Sequence, residues 1–262
     1  GGPAITLASA PVGRGGTWNR DGVIVFAPVN AGQLQRVSSS GGTTSPATTS
    51  DATGGHRPWF LPDGQHFLYS VGTGGPDTTI RIGSLLGKEQ DPLDGKVVAQ
   101  TNSAAIYSQG YLLFLRENTL MAQPFDVKRM ETTAEAVPIV EQIQRLLINS
   151  PMGVFSASEG GLLAFQSGEG GGGSTQLTWF DRAGKQIGVL GDPAFYTDPE
   201  LSPDGTRASV SVLDQASGTQ DVWVYDVARG LRTRLTFDPS EERTSIWSPD
   251  GSRIVFDSRR KG

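Results

Sequence analysis

Short apolar runs separated by turn-forming residues organise this chain, and long apolar stripes of helical spacing are almost absent. Four of the runs closely follow an Asp-Gly pair, at 23–26, 67–69, 208–210 and 254–256. An Asp side chain bonds its own backbone and a Gly accepts the left-handed conformation, so Asp-Gly between two apolar runs is typical of a tight turn. The pattern therefore predicts four β-hairpins.

Two degenerate hairpins complete a repeat, with turns at Gly110 and Gly161 before the apolar runs 111–114 and 162–165. The turn glycines then stand at positions 22, 64, 110, 161, 205 and 251, which are 42 to 51 residues apart. A supersecondary unit that recurs at this period is typical of a β-propeller, in which each blade is a small antiparallel sheet. The sequence predicts an all-β fold, a β-propeller of about six blades of four antiparallel strands.

The strand pattern fills five blades and starts a sixth. The innermost strands are expected near 15–19, 57–61, 104, 152, 196 and 244–248. The fourth strand of the second blade is expected just before Asp94. We expect the run 3–8 to form an N-terminal strand that completes the last blade by pairing with 253–257, since closure removes open sheet edges. The alternative is a fragment of a larger ring that has lost blades.

Composition and charge narrow the class of protein. Gly is 35 and Pro 16 of the 262 residues, a turn-rich composition that suits one all-β domain spanning 1–262. The net charge of −5 argues against nucleic acid as a partner, because nucleic-acid-binding proteins usually present a basic surface. The absence of cysteine excludes disulfides and thiolate metal sites. No apolar stretch approaches the ~18 residues of a membrane helix, so we expect no membrane contact by this piece, which looks like part of a longer protein.

Several stretches carry a resemblance to known propellers. Trp-Ser-Pro-Asp-Gly-Ser-Arg-Ile-Val-Phe at 247–256 is similar to the repeat motif of TolB-like and WD-repeat-like propellers, and Asp-Val-Trp-Val-Tyr-Asp-Val at 221–227 resembles the rest of such a blade. Gly-Gly-Thr-Trp-Asn at 15–19 and Leu-Met-Ala-Gln-Pro-Phe-Asp at 120–126 resemble the propeller region of bacterial eukaryote-like serine/threonine kinases. The resemblance implies an extracytoplasmic location, periplasmic or at the cell surface. The chain itself contains no kinase signature.

Residues of catalytic type are few and scattered. The two histidines, His56 and His66, have no second metal ligand beside them in the sequence. The glycine-rich run 168–174 lacks the Gly-Lys-Ser/Thr of a phosphate-binding loop, and no Gly-x-Ser-x-Gly elbow is present. The carboxylates near 192–200 and 238–242 match no calcium loop. We therefore predict no catalytic residue, no metal and no cofactor.

The sequence favours a non-catalytic recognition module, a sensor or protein-interaction propeller. Strand order gives the ring two faces: the turn face carries the Asp-Gly turns, and the lead-in face carries the loops that lead into each blade. Lead-in loops at 49–57, 191–200 and 236–243 are the longer and more charged ones, so a protein or small-molecule ligand is expected there. The predicted contacts are Arg14, His56, Arg57, Tyr196, Asp198, Glu241 and Arg243.

The alternative is a propeller enzyme, a hydrolase or lyase with its site at the mouth of the central tunnel. It would draw on His56, Arg57, Tyr196, Asp198, Glu241 and Arg243. This interpretation requires His56, a carboxylate and an arginine to converge within hydrogen-bond reach around one pocket.

Overall fold

The structure, a computed structural model, describes residues 3–30, 32–49, 55–72, 75, 77–143, 145–146, 152–166, 174–180 and 185–260, with the backbone alone at 55, 56, 145, 146, 152 and 180. All regular elements in this part of the chain are β-strands. None of the described residues forms a helix long and apolar enough to span a bilayer.

Five blades follow one another along the chain, each a sheet whose strands pair antiparallel with their neighbours in sequence. Blade 1 contains β1 (Gly16–Trp18), β2 (Val23–Phe26), β3 (Gln35–Ser38) and β4 (Ser45–Pro46). Blade 2 contains β5 (Gly55–Phe60), β6 (His66–Val71), β7 (Thr78–Ser84) and β8 (Val97–Thr101). Blade 3 contains β9 (Ile106–Ser108), β10 (Tyr111–Arg116), β11 (Thr119–Asp126), β12 (Glu131–Thr132) and β13 (Val137–Val140), and both of the last two strands pair with β11.

A small pair, β14 (Arg145–Leu146) and β15 (Met152–Gly153), precedes blade 4. Blade 4 contains β16 (Phe155–Ala157), β17 (Leu163–Phe165), β18 (Thr175–Phe180) and β19 (Gln186–Ala194). Blade 5 contains β20 (Tyr196–Leu201), β21 (Arg207–Leu213), β22 (Gln220–Asp226) and β23 (Arg232–Arg234). A two-stranded sheet of β24 (Glu242–Trp247) and β25 (Ile254–Ser258) follows.

The innermost strands contact one another in a closed ring. β5 lies against β1 and β9, β16 against β9 and β20, and β24 against β20 and β1. The β24–β25 hairpin therefore occupies the sixth place in the ring, between the last blade and the first. The β-propeller architecture is confirmed, with five full blades rather than about six.

The expected N-terminal strand at 3–8 does not form, and no backbone hydrogen bond joins the described residues before β1 to β25. The N-terminal segment instead follows blade 1, because the amides of Val12 and Arg14 donate to the carbonyls of Pro28 and Ala27 at 3.1 and 2.9 Å. Leu7 and Val255 both pack against the same apolar cluster around Trp18, so the segment lies near the last hairpin without extending its sheet. In blade 2 the expected strand before Asp94 was wrong, since residues 85–95 are turns and β8 follows them.

The core lies between neighbouring blades rather than at the centre of the ring. Leu68 and Ile80 of blade 2 pack against Phe114 of blade 3, for example, and all three are almost completely buried. Burying each such side chain stabilises the fold by about 1.5–3 kcal/mol. Tyr225 of the third strand of blade 5 is likewise fully buried between blades 4 and 5.

Polar contacts add a second set of links between blades. The Arg207 guanidinium lies over the Trp247 ring, and the Arg253 guanidinium lies over the Trp18 ring, both at 4.7 Å. In each case an arginine two residues after a turn glycine contacts the tryptophan of the next place in the ring. The second contact joins the last hairpin to the first blade, where the ring closes.

His66 is held in blade 2 by two carboxylates. Its ring nitrogens lie 2.6 Å from Asp63 Oδ2 and 2.7 Å from Asp91 Oδ2, and the Ser84 hydroxyl donates to the same Asp91 oxygen at 2.8 Å. Burial alone would lower the pKa of His66, but the hydrogen bonds with Asp63 and Asp91 outweigh it and raise the pKa above its usual value. This histidine ties a hairpin turn to the loop after β7, a structural role.

The turn glycines are the first test of the fold. All six have positive φ, among them Gly205 at +71° and Gly251 at +67°. A Cβ at Gly205 would also lie 2.9 Å from Leu162 Cδ1. We expect Gly205→Val and Gly251→Val each to lower the free energy of unfolding by about 1–3 kcal/mol, measured by chemical denaturation. Gly160→Ala is the matched control, since its nearest neighbour would be at an ordinary 3.6 Å; unchanged midpoints for both valine variants would refute the turns.

The pH dependence of stability tests the His66 contacts. A histidine with a raised pKa stabilises the fold fully below its unfolded pKa of about 6.5, and this contribution is lost as pH rises through the folded value. Glu200, whose burial raises its pKa to about 7, acts in the same direction and remains in the variant. We therefore expect the free energy of unfolding to fall as pH rises from about 6 to about 9, the window in which a raised histidine pKa lies. This fall should be less steep in His66→Gln than in the parent protein. Identical slopes in the two proteins would contradict the assignment.

Candidate binding site at the channel mouth

The innermost strands surround a central cavity of about 60 Å³. This volume has room for a handful of water molecules or one small chemical group. Its walls come from every place in the ring and include Gly16, Trp59, Ile106, Phe155, Glu200 and Ile246. The cavity is the central channel of the propeller.

Four residues at equivalent positions in the repeat adopt the left-handed conformation and line this channel. They are Gly15 (φ +89°), Arg57 (+45°), Asp198 (+49°) and Thr244 (+52°), each seven residues before its turn glycine. The strand pairing shifts at the last three, between β5 and β6, β20 and β21, and β24 and β25. A bulge of this kind redirects a side chain and costs backbone strain, and such strain concentrates at functional sites.

The bulges bring together two charged side chains that are 141 residues apart in sequence. Arg57 Nη2 lies 3.3 Å from Asp198 Oδ1, with 24% and 11% of the two side chains exposed. The buried Nε of Arg57 has no hydrogen-bond partner among the described residues. The pair is therefore fixed at the channel wall but leaves part of the guanidinium uncommitted.

Two further arginines and a carboxylate border this pair. The Arg57 amide donates to the Arg14 carbonyl at 3.0 Å, which places the two residues side by side. Arg243 and Asp257 face each other in the pairing of β24 with β25. A Cβ at Gly13 would lie 2.3 Å from Asp257 Oδ2, so a larger residue there would displace this carboxylate.

Ionisation is perturbed at several of these groups. Burial, followed by the positive charges of Arg243 and Arg57, lowers the pKa of Arg14. Burial raises the pKa of Asp257 to about 6, against the attraction of Arg243, and raises that of Glu200 to about 7, against a hydrogen bond from Ser156. Perturbed ionisable groups that lie close together are typical of a functional site, and one of them, Glu200, lines the cavity directly. We call the set of Arg14, Arg57, Asp198, Glu200, Arg243 and Asp257 the mouth cluster.

Four of the residues singled out by sequence, Arg14, Arg57, Asp198 and Arg243, meet in the mouth cluster. Glu241 lies at its rim, 3.5 Å from the guanidinium of Arg243 and 2.8 Å from that of Arg259. Except for Arg14 and Glu241, these residues stand on innermost strands rather than on the expected lead-in loops, because strands occupy 55–60, 186–194, 196–201 and 242–247.

The remaining two expected contacts are not part of the cluster. The Tyr196 ring is buried with the core of blades 4 and 5, and its hydroxyl lies 2.9 Å from that of Tyr225. It precedes the bulge in β20, so it packs between blades and does not reach the channel. His56 lies in β5, where its backbone pairs with that of Ser70 in β6. The side chain of His56 lies outside the described part of the chain.

Sequence reasoning missed Thr244 and Asp257 and treated Glu200 as an ordinary loop carboxylate. Thr244 stands seven residues before its turn glycine, as Arg57 and Asp198 do, but the same count also gives Ser103 and Val154, which are not left-handed. No comparable signal marks Asp257, which enters the cluster only through ring closure.

The cluster offers fixed charges rather than an activated nucleophile. The Ser156 hydroxyl donates to Glu200 Oε2 at 2.6 Å and accepts the Leu201 amide at 3.1 Å, which ties blade 4 to blade 5. Within the described residues, no three His, Cys, Asp or Glu side chains are grouped as a metal site. The arrangement can bind and orient a polar group.

The strain at Thr244 can be tested by removing its side chain. A β-branched residue at positive φ is strained, so Thr244→Gly should raise the free energy of unfolding by up to about 1 kcal/mol. Thr233→Gly, at an exposed position of β23, is the matched control and should lower it. Denaturation midpoints give the comparison, and a loss of stability in Thr244→Gly similar to that in the control would show that no strain is present.

Comparison with known proteins supports the fold. No protein-family profile matches the chain. A stretch of 70 residues is 37% identical to YuxL of Bacillus subtilis (strain 168), described as a peptidase; it is 25% of this chain and 11% of YuxL.

Solved structures match over nearly the whole chain at low identity. A protein assigned as TolB from Agrobacterium tumefaciens has a TM-score of 0.66 at 16% identity, covering 94% of this chain and 90% of its own. TolB from Acinetobacter baumannii has 0.62 at 16%, covering 88% and 55%. An oligogalacturonate lyase in complex with manganese has 0.57 at 13%, covering 95% and 74%. The chain therefore has the fold of the TolB-like β-propellers.

Proposed function

We propose that this chain is a non-catalytic recognition module that binds a protein or small-molecule partner on its lead-in face. The mouth cluster is the centre of the proposed site. The observation that carries the proposal is the convergence of strained backbone, uncommitted hydrogen-bonding groups and perturbed ionisation at one opening of the channel. A site built only for stability would pair these groups and relax the backbone.

The chemistry of the cluster supports binding over catalysis. Its members are arginines and carboxylates, and the Ser156 hydroxyl beside Glu200 is engaged in two hydrogen bonds that link blades. Catalysis by a nucleophile requires an adjacent base that is free to accept its proton. Glu200 already accepts the hydrogen bond of the Ser156 hydroxyl.

The wider setting of the module rests on resemblance. The stretches at 15–19 and 120–126 resemble the propeller region of bacterial receptor-type serine/threonine kinases, and the fold resembles TolB. Either setting would make the chain an extracytoplasmic sensor or protein-interaction domain. The partner would then be met outside the cytoplasm.

A second candidate function, a propeller enzyme with its site in the channel, is favoured by one observation. Glu200 faces the cavity with a pKa of about 7, the value at which a carboxyl can both give and take a proton near neutral pH. The similar fold of an oligogalacturonate lyase adds to this possibility. Incubation with oligogalacturonate separates the two functions, because a lyase would form an unsaturated product that absorbs ultraviolet light.

A ligand screen tests the proposed function. We expect small molecules or peptides that raise the melting temperature of the chain to lose their effect in Glu241→Ala and Arg243→Ala. The matched controls on the turn face, Gln65→Ala, Thr206→Ala and Ser252→Ala, should keep it. Binding that is lost only in the controls would show that the turn face is the site. Turnover of oligogalacturonate that Glu200→Gln abolishes would establish the enzyme instead.

A further inference from the structure

We propose that the mouth cluster captures a carboxylate group of its ligand between the guanidinium groups of Arg14, Arg57 and Arg243. The inference rests on the proposed binding function and names the ligand chemistry of that same site. The carboxylate can belong to a small solute or to a polypeptide, and the experiment below separates these sources.

The three arginines carry more donors than their protein partners use. Among the described residues the buried Nε of Arg57 has no hydrogen-bond partner, and the ion pair of Arg57 with Asp198 is long at 3.3 Å. Arg243 approaches Glu241 only to 3.5 Å, and the same Glu241 side chain binds Arg259 more closely at 2.8 Å. The Arg14 side chain donates to the neutral side chain of Asn30. Each guanidinium therefore has capacity for a further acceptor.

Arg14 lies close enough to the other two arginines to be repelled by their charges. The charges of Arg243 and Arg57 both lower the pKa of Arg14, and Asp257 only partly opposes them. A ligand carboxylate would relieve this repulsion. Its two oxygens also match the planar fork of a guanidinium, which binds carboxylates with paired hydrogen bonds.

The carboxylates of the cluster have partners or are buried. Asp198 pairs with Arg57, and Glu200 accepts a hydrogen bond from Ser156. Asp257 is faced by Arg14 from the N-terminal segment, Arg57 from β5, Asp198 from β20 and Arg243 from β24, and it has a pKa of about 6. Asp257 and Glu200 both take up a proton and lose their negative charge as pH falls toward about 5.5. An ordinary ligand carboxylate, with a pKa of about 4, stays ionised at this pH.

Of the three arginines, Arg57 is the one that lines the central cavity, so a carboxylate held by the guanidinium groups would direct a short apolar stem into it. The cavity holds about 60 Å³ and its walls include Trp59 and Ile246. A cation would bind poorly at this site, because arginines lie next to Asp198 and Asp257. The described residues also contain no group of three His, Cys, Asp or Glu side chains that could hold a metal ion.

Two pairs of probes test the proposal by isothermal titration of the 262-residue chain. The first pair is succinate and its neutral analogue succinamide. The second is a capped peptide of alternating Gly and Glu and the same peptide with Gln for Glu. We expect a charged probe to bind and its neutral analogue to bind about tenfold more weakly, as expected for the loss of a charge-assisted hydrogen bond. Binding of succinate identifies a small solute as sufficient, and binding of the Glu peptide alone identifies a polypeptide source.

Variants locate the binding. Arg243→Gln should weaken the charged probe about tenfold, and Arg243→Lys, which keeps the charge, should restore part of the affinity. Arg229→Gln is the matched control, because this arginine is highly exposed on the turn face and pairs only distantly with Asp226. Unchanged melting temperatures show that the variants are folded. We also expect the parent to bind the charged probe more tightly at pH 5.5 than at 7.5 (about one unit either side of the usual histidine pKa).

Three outcomes would overturn the inference. They are equal affinity for charged and neutral probes, no binding of either charged probe at both pH values, and equal weakening in Arg243→Gln and Arg229→Gln. In the first case, loss of binding in Arg243→Gln would leave the proposed recognition function in place with a different ligand chemistry. Hits from the ligand screen that are lost only in the turn-face variants would remove the proposed function as well.

Discussion

Closure of the ring between β24 and β1 is the contact on which the site depends. No covalent link holds the two ends of this ring, so packing must. A Cβ at Gly16 would lie 2.8 Å from Ile246 Cδ1, and the Arg253 guanidinium covers the Trp18 ring. Closure brings Arg14 from one end of the chain beside Arg243 and Asp257 from the other. Without it, Arg57 and Asp198 could not share a channel with those residues.

The same closure explains how a strained channel wall persists. Left-handed conformations at Arg57, Asp198 and Thr244 cost about 1–3 kcal/mol each. Fully buried side chains between the blades contribute about as much apiece in the favourable direction, and there are many of them. The blades therefore hold the inner strands in a geometry that these strands would not adopt alone. Rigid packing outside and strain inside is the arrangement expected of a scaffold that presents a binding site.

Local chemistry made most of the fold predictable. An Asp-Gly turn is specified by a few adjacent residues, so the repeat period and the positive φ of all six turn glycines follow from sequence. The bulges do not, because Arg57, Asp198 and Thr244 share no side-chain chemistry and the equivalent Ser103 and Val154 are not left-handed. Tyr196 was predicted to contact a ligand but is buried between blades. The bulge next to it in β20, which packing sets, decides which side chains of that strand reach the channel. Asp257 depends on closure, which no local pattern encodes.

The central claim is that three bulged inner strands and a closed ring assemble the mouth cluster. A crystal structure of the chain at a resolution that defines side chains would test it most directly. The account predicts positive φ at residues 57, 198 and 244, with Arg57 and Asp198 in contact across the channel and Asp257 beside Gly13. Regular extended backbone at those three residues, with the Arg57 and Asp198 side chains directed away from each other, would contradict it.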